Sequence, residues 1–592
     1  MLSYSTGFTK LPKELTVCAL HFCSYQDILR FSATCKAYRE LVLNTISLHL
    51  QIELGVNHLQ LSNGCMRESQ QKLLQDLKSY NRNWLDLSLS TGPNIKIARR
   101  MRRPIIMGEL RSGLLTSVYS RSATTQYLWQ ADTVEIVSLD EPTSRWTHAF
   151  DVMFHQLAID PDQDLLILAV ADEEKQKTLT IYFYSLRTGL VHLSARHPII
   201  VLELEFSVEP SGCSHGTIHI SITDEVLVIN LVSGSSVPQR NTSCDALVLD
   251  WREGCLLHHI GTRHGFCSAV CLDGNRLVVL TAKASIPISA STSPFLSFNL
   301  ITLLLFDRIW IPRSERLLED SNIFNISKGH VLAPALALEF PRPKPNITLR
   351  VERFQALPAS APTDTTPGQK FTPVPSCQTL NLTMRASKIR SRVQPTDYAI
   401  FIDVRRILHH LSHVPSQAPT DPLPWSAWGE AATRWNSLCD TAYPISKTHG
   451  SRFVTTRRLV QEDDFIKQLV VADFNPLLVR RSKTCDLDQT GLYSPGTGYD
   501  ATTSGEWPNL ESNPGARSMI VDYVDESRPT ILDDISEVPI ISRLPYRVTV
   551  VGGPTVAKFD DWMIDGNRLV GVKVGPVEGD SFDQFVVHYI RG

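Results

Sequence analysis

"LTIYFYSLRTG" (Leu179–Gly189) and "EVLVINLVSG" (Glu225–Gly234) decide how most of this 592-residue chain is read. Each is a short run rich in β-branched and aromatic residues, closed by a turn residue, which is a strand pattern. "DLLILAV" (Asp164–Val170) and "GTIHISI" (Gly216–Ile222) repeat it. The closing glycines, Gly189 and Gly234, stand 45 residues apart, which matches the period of roughly 40–45 residues of a propeller blade. "DGNRLV" occurs at Asp273–Val278 and again at Asp565–Val570, each time as an Asp-Gly turn entering an apolar strand. Residues 96–592 are therefore expected to form a large β-propeller-like region of seven or eight blades. A different all-β repeat, or a pair of sandwiches, fits the same strands. None of the ten tryptophans is followed by Asp, so no Trp-Asp signature marks the blades.

Three stretches break the strand rhythm and are expected to be loop insertions: 357–376 and 413–424, both Pro-rich, and 486–518, low in aliphatics. "PWSAWGEAATRW" lies between the last two. Trp425, Trp428 and Trp435 read as packing residues, with a partner-binding cage as the alternative.

The length implies several domains or one large repeat assembly. Apolar residues make up 43% and charged residues 20%, a globular composition. With 58 basic and 61 acidic residues the net charge is −3, which gives no global pull toward nucleic acid or a membrane surface. The start, "MLSYSTGFTK", lacks the apolar core of a signal peptide. "FLSFNLITLLLF" (Phe295–Phe306) is too short to span a bilayer and reads as one or two buried strands. Twelve scattered cysteines suit core thiols in a reducing compartment, so a cytoplasmic or nuclear location is expected.

Ahead of the strands, "LPKELTVCALHFCSYQDILRFSATCKAYRELV" (Leu11–Val42) reads as three short helices. Pro12 suits a first helical turn. Leu15, Ala19 and Phe22 then follow on one face. Ser24 can cap the second helix, with Asp27 three residues on reaching back, a capping box. Ile28, Leu29 and Phe31 supply the second helix, and Cys35, Tyr38, Leu41 and Val42 the third. A module this small seldom closes its own core, so spare apolar surface is expected, with Leu11, Leu15, Leu20, Ile28 and Leu29 as candidates. Further along, Leu73, Leu74, Leu77, Tyr80 and Trp84 mark one face of a helix, and residues 51–95 read as a semi-rigid helical connector.

The opening segment resembles an F-box, in the run "LPKEL", "DILRFS" and "CKAYREL", without a gap. An ordinary amphipathic hairpin reproduces the helical period but does not demand Leu-Pro, Cys-Lys and the aromatic together. Ala19, Cys23 and Thr34 stand where the pattern usually has larger aliphatics. "IEL" after the box, the Leu-rich helix ending near Trp84 and the later Trp-rich stretch resemble F-box proteins of basidiomycete fungi. The resemblance implies an F-box domain over residues 1–50 that docks on the Skp-type adaptor of a cullin–RING ubiquitin ligase. It places the contact at Leu11, Pro12, Leu15, Leu20, Ile28, Leu29, Cys35 and Tyr38. The fold class is then α plus all-β, with the β region capturing unknown protein substrates and no cofactor required. A scaffold that binds the adaptor, or folds against its own body, without ubiquitylation is the alternative; a hydrolase or metal enzyme in the β region is a third.

Two other patterns bear on chemistry. Cys255, His258, His264, Cys267 and Cys271 offer soft ligands, yet strand thiols and a hairpin histidine explain them without zinc. Lys96, Arg99, Arg100, Arg102 and Arg103 form a basic run that suits an import signal or phosphate patch, or a charged strand edge. No Walker A, G-x-S-x-G or H-E-x-x-H string occurs.

Overall fold

The computed structural model describes residues 11–98, 109–121, 130–172, 177–205, 218–232, 243–263, 265–284, 298–307, 309–310, 323–325, 333–355, 370–389, 394–413, 421–438, 447–461, 464–486, 507, 519–573 and 582–590. Helices α1 (Lys13–His21), α2 (Tyr25–Thr34), α3 (Lys36–Asn44), α4 (Ile46–Val56) and α5 (Gln70–Leu85) come first, followed by strands.

The strands form seven sheets in succession, the blades of a seven-bladed propeller, antiparallel except where Ile323–Asn325 joins the edge of blade 2 in parallel. Blade 1 runs from Leu110–Arg111 through Leu114–Tyr119 and Ala131–Ser138 to Arg145–Phe154. The first strands of blades 2 to 7 are Gln156–Asp160, Ile218–Thr223, Gly265–Asp273, Ile347–Gln355, Thr448–His449 and Asp561–Asp565. Most of these first strands touch the first strand of the next blade, so they line the axis while later strands step outward.

Blade 7 closes the ring. Its strands Asp561–Asp565, Arg568–Lys573 and Phe582–Ile590 receive their outer neighbour, Leu89–Ala98, from the other end of the chain. Leu89 lies opposite Ile590 and Ala98 opposite Phe582, with a register shift between Thr91 and Asn94. Ile95 is buried in the core between blades 7 and 1. This strand crosses the boundary at 95/96 drawn from the sequence, because Gly92-Pro93 interrupts its alternation and its partner lies almost at the other terminus.

"DGNRLV" marks equivalent places. In blades 4 and 7 it joins the first strand to the second, and Arg276 and Arg568 each pair with the aspartate three residues back. The 45-residue interval does not mark a repeat. Gly189 follows the third strand of blade 2 (Thr178–Ser185), whereas the run ending at 234 contains the second strand of blade 3 (Val226–Val232). Insertions between strands make the blades unequal, so no fixed period survives.

Within the expected loop insertions, 357–369, 414–420, 486–506 and 508–518 mostly lie outside the described residues, but two parts are structured. Phe371–Pro373 is a strand, and Trp507 is buried in the core of blades 5 and 6. Trp428 and Trp435 are buried and Trp425 packs on the same core, as packing residues. Phe298–Asp307 is a strand of blade 4. No helix among the described residues is long and apolar enough to cross a membrane.

Candidate functional site

The first three helices close a core of only a few side chains: Leu20, Ile28, Val42 and, from α4, Leu48, with Val17, Phe31 and Ile52 at its edge. Ser24 caps α2 by accepting from the Asp27 N–H at 3.2 Å. Hydrogen bonds from Ser24 and Arg30 hold the Asp27 carboxyl below its usual range. Phe31 stacks on Tyr38 at 4.2 Å, fastening α2 to α3.

α4 has two apolar faces. Leu48 and Ile52, one turn apart, look into the small helical core; Leu50 and Leu54 join the connector's core. Gln51 donates to the Cys23 carbonyl at 2.8 Å, tying the end of α1 to α4. Gly55 is where α2 crosses: a Cβ there would meet the Tyr25 ring at 2.3 Å.

The connector is bolted to the propeller. Leu73, Leu77, Tyr80 and Trp84 of α5 share a core with Trp562, Leu569 and Val586 of blade 7 and Val454 and Leu469 of blade 6. Leu59–Leu61 pairs antiparallel with Phe371–Pro373, inside the stretch read as a loop. Lys370 pairs with Glu68 and Asp76 at 2.9 and 2.7 Å, and Arg481 holds Glu53 through both carboxylate oxygens. Arg452 of blade 6, buried, donates to Tyr80 Oη at 2.9 Å and pairs with Asp473 at 3.1 Å, its guanidinium 4.3 Å from the Trp84 ring. His58 faces Arg405 at this joint, and burial pulls its imidazole down to about 3.

That leaves apolar side chains of α1 and α2 uncovered. Leu11 is 41% exposed, Leu15 54%, Phe22 94% and Leu29 42%, and Pro12, Ala19 and Cys35 are also exposed. Tyr38 is half-buried. The expectation that Leu20 and Ile28 belong to the spare surface is corrected: at 5% and 0% exposure they form the module's own core. Helical period alone cannot say which of two apolar faces is spare. Phe22, Leu43 and Ile46 add exposed apolar area not named as contacts from the sequence. For Phe22 the signal was present, since it shares a helical face with Leu15.

The other candidates do not assemble among the described residues. Cys255, Cys267 and Cys271 are buried between blades 3 and 4. His258 Nε2 lies 2.6 Å from the Ile309 carbonyl, and His264 lies outside the described residues. Burial pushes the Cys267 and Cys271 thiols up, away from the thiolate a metal needs. No group of three or more ligating residues is found among the described residues. Arg99, Arg100, Arg102 and Arg103 of the basic run also lie outside them.

Three desolvated histidines set an acid limit. Burial pulls His155 and His219 down to about 4 and His58 to about 3. Each is neutral when folded but takes up a proton near pH 6.5 when unfolded. Their stabilisation is full above that pH and is lost as pH falls toward 4, by at most about 1.4 kcal/mol per unit for each. Glu109, raised to about 7 chiefly by burial, acts in the opposite sense between 4.5 and 7, and is outnumbered. Thermal unfolding followed from pH 8 to 4.5 should give a midpoint that falls steadily below pH 6.5; a flat midpoint down to pH 5 contradicts this.

Residues 8–50 match the family model described as the F-box domain. A comparison with curated proteins finds no match. Among solved structures, the chain is similar to an uncharacterized protein of Listeria monocytogenes, at 9% identity over 62% of this chain and 78% of that one, with a TM-score of 0.27. It is also similar to the WD40 domain of Toxoplasma gondii coronin, at 9% identity over 53% and 82%, with a TM-score of 0.23. Both scores are low, and the blade count rests on the strand pairing alone. The helical module that leaves its apolar face open is thus an F-box domain, carried in front of a seven-bladed propeller.

Proposed function

We propose that this protein is the substrate-recognition adaptor of a Skp–cullin–F-box ubiquitin ligase. The observation that carries the reading is the open apolar face of α1 and α2, with Leu11, Pro12, Leu15 and Leu29 exposed on a module fused to a propeller. An F-box domain generally takes a Skp-type adaptor there, and covering these side chains stabilises the complex by burying apolar area. Cys35 and Tyr38 flank the face, and the likeness of the connector to basidiomycete F-box proteins belongs to the same reading.

The propeller would bind a target and hold its lysines near a ubiquitin-charged enzyme. Catalysis is then proximity: two reactants on one scaffold meet at raised effective concentration, and this chain performs no bond chemistry. The apolar fastening of the connector to blades 6 and 7 and its ion pairs with Lys370, between the first two strands of blade 5, suit that task, because a fixed separation keeps the target within reach.

Reconstitution tests it. The chain mixed with a Skp-type adaptor, cullin, RING subunit and charged conjugating enzyme should support ubiquitin transfer to proteins the propeller retains. Co-assembly with the adaptor but exclusion of the cullin would instead favour a non-ligase scaffold.

A further inference from the structure

We infer that the axial channel of the propeller is a binding site for a small oxyanion, held by Arg353 of blade 5 with His219 and Ser221 of blade 3.

The register brings the two blades' residues to one depth. Arg353 lies opposite Thr383 and His219 opposite Asn230, each the fifth residue of its blade's second strand. On blade 3, Ile218, Ile220 and Ile222 fill the core shared with blade 2, so His219 and Ser221 point the other way. On blade 5, Val351 and Phe354 fill the core shared with blade 4, and the register shift between Val351 and Arg353 turns Arg353 out of that core.

Both side chains are partly accessible, yet both are strongly desolvated: burial pulls Arg353 down to about 10 and His219 to about 4. Partial access on strands that line the axis places both at the internal channel. Each charge is also felt across it, since Arg353 acts on His219, and Asp561 of blade 7 acts on Arg353.

Arg353 has no hydrogen bond or ion pair among the described residues, which sets it apart from the other enclosed arginines. Arg111 holds Asp160, Arg452 holds Asp473 and Arg568 holds Asp140, while Arg434 donates to the carbonyls of Leu544 and Arg528. Asp561, the acid whose charge acts on it, is itself paired with Lys447 at 3.0 Å. An enclosed, unpaired guanidinium is costly, and its planar fork matches two oxygens of a phosphate or carboxylate. Ser221 Oγ is buried without a hydrogen-bond partner and sits two residues along the same strand face as His219. Neutral His219 can donate one N–H and Ser221 one O–H, which with the Arg353 fork suits an acceptor-rich ligand.

The test uses the full chain at constant ionic strength. Inorganic phosphate is titrated in one arm and acetate in another, against chloride, with thermal unfolding and phosphorus NMR line width as readouts. A saturable rise in midpoint with phosphate, acetate or both supports the site and tells a tetrahedral oxyanion from a carboxylate. Arg353→Met should lose the rise, and Arg353→Lys, which keeps charge without the fork, should weaken binding about tenfold. Should Arg353→Met fail to fold, His219→Gln with Ser221→Ala provides the second comparison, again expected to weaken the response. No saturable response in the wild type, or an equal response in the variants, overturns the inference.

Discussion

Arg452→Met is expected to lower stability by about 3–5 kcal/mol and to loosen the connector from the propeller. The guanidinium is buried and joins three groups: Asp473 of its own blade, Tyr80 Oη of α5 and the faces of the Tyr80 and Trp84 rings. Removing it strands the Asp473 carboxylate, which among the described residues keeps the Ser451 hydroxyl and the Asn475 N–H as donors. A buried pair broken on one side costs more than the pair itself contributes, because the remaining charge is uncompensated. Met fills the stem's volume, so apolar packing is largely kept and the effect reads the polar loss. Chemical denaturation gives the magnitude. A cycle with Tyr80→Phe isolates the link between α5 and blade 6, with a coupling of about 0.5–3 kcal/mol expected. Additive effects of the two changes would show that α5 is held by apolar packing alone.

How much of this was legible in the sequence depended on how local each signal was. The F-box helices were readable because their signals lie within a few residues: Ser24 with Asp27, and apolar positions one turn apart. The strands of blades 2 to 4 were readable from short apolar runs, but blade number was not. Blades are unequal, and one of the two resemblances that suggested a period, the pair of closing glycines, joined non-equivalent strands. "DGNRLV" succeeded because both copies make the same corner, with the Arg paired to the Asp three residues back.

Long-range partners were invisible. Leu89–Ala98 becomes an outer strand only because Phe582–Ile590 exposes an edge there, and Phe371 reads as loop until Leu61 pairs with it. Trp507 sits alone in an aliphatic-poor stretch yet is buried against Phe453 and Tyr546. On the helical module the sequence named some of the exposed apolar residues but not which apolar residues face inward. Leu20 and Ile28 face inward because α4 supplies Leu48 to meet them.

Leu15→Glu combined with Leu29→Glu should abolish adaptor docking while leaving this chain's own fold unchanged. Both side chains are largely solvent-exposed, so in the free protein each substitution should alter stability by no more than about 0.5 kcal/mol. In a complex each forfeits about 1–2 kcal/mol of apolar burial, and each carboxylate must also be desolvated without a partner. Together these losses amount to at least about a hundredfold in affinity. Leu20→Glu and Ile28→Glu are not equivalent probes, since they place a charge in the module's own core and unfold it.

The most direct measurement is calorimetric titration of the purified full chain with a Skp-type adaptor, wild type beside the Leu15→Glu, Leu29→Glu double variant. One-to-one binding that the double variant loses at least about a hundredfold, with an unaltered unfolding midpoint, is the predicted result. Equal affinity in the two proteins, or no binding by the wild type, would contradict a docking role for the open helical face.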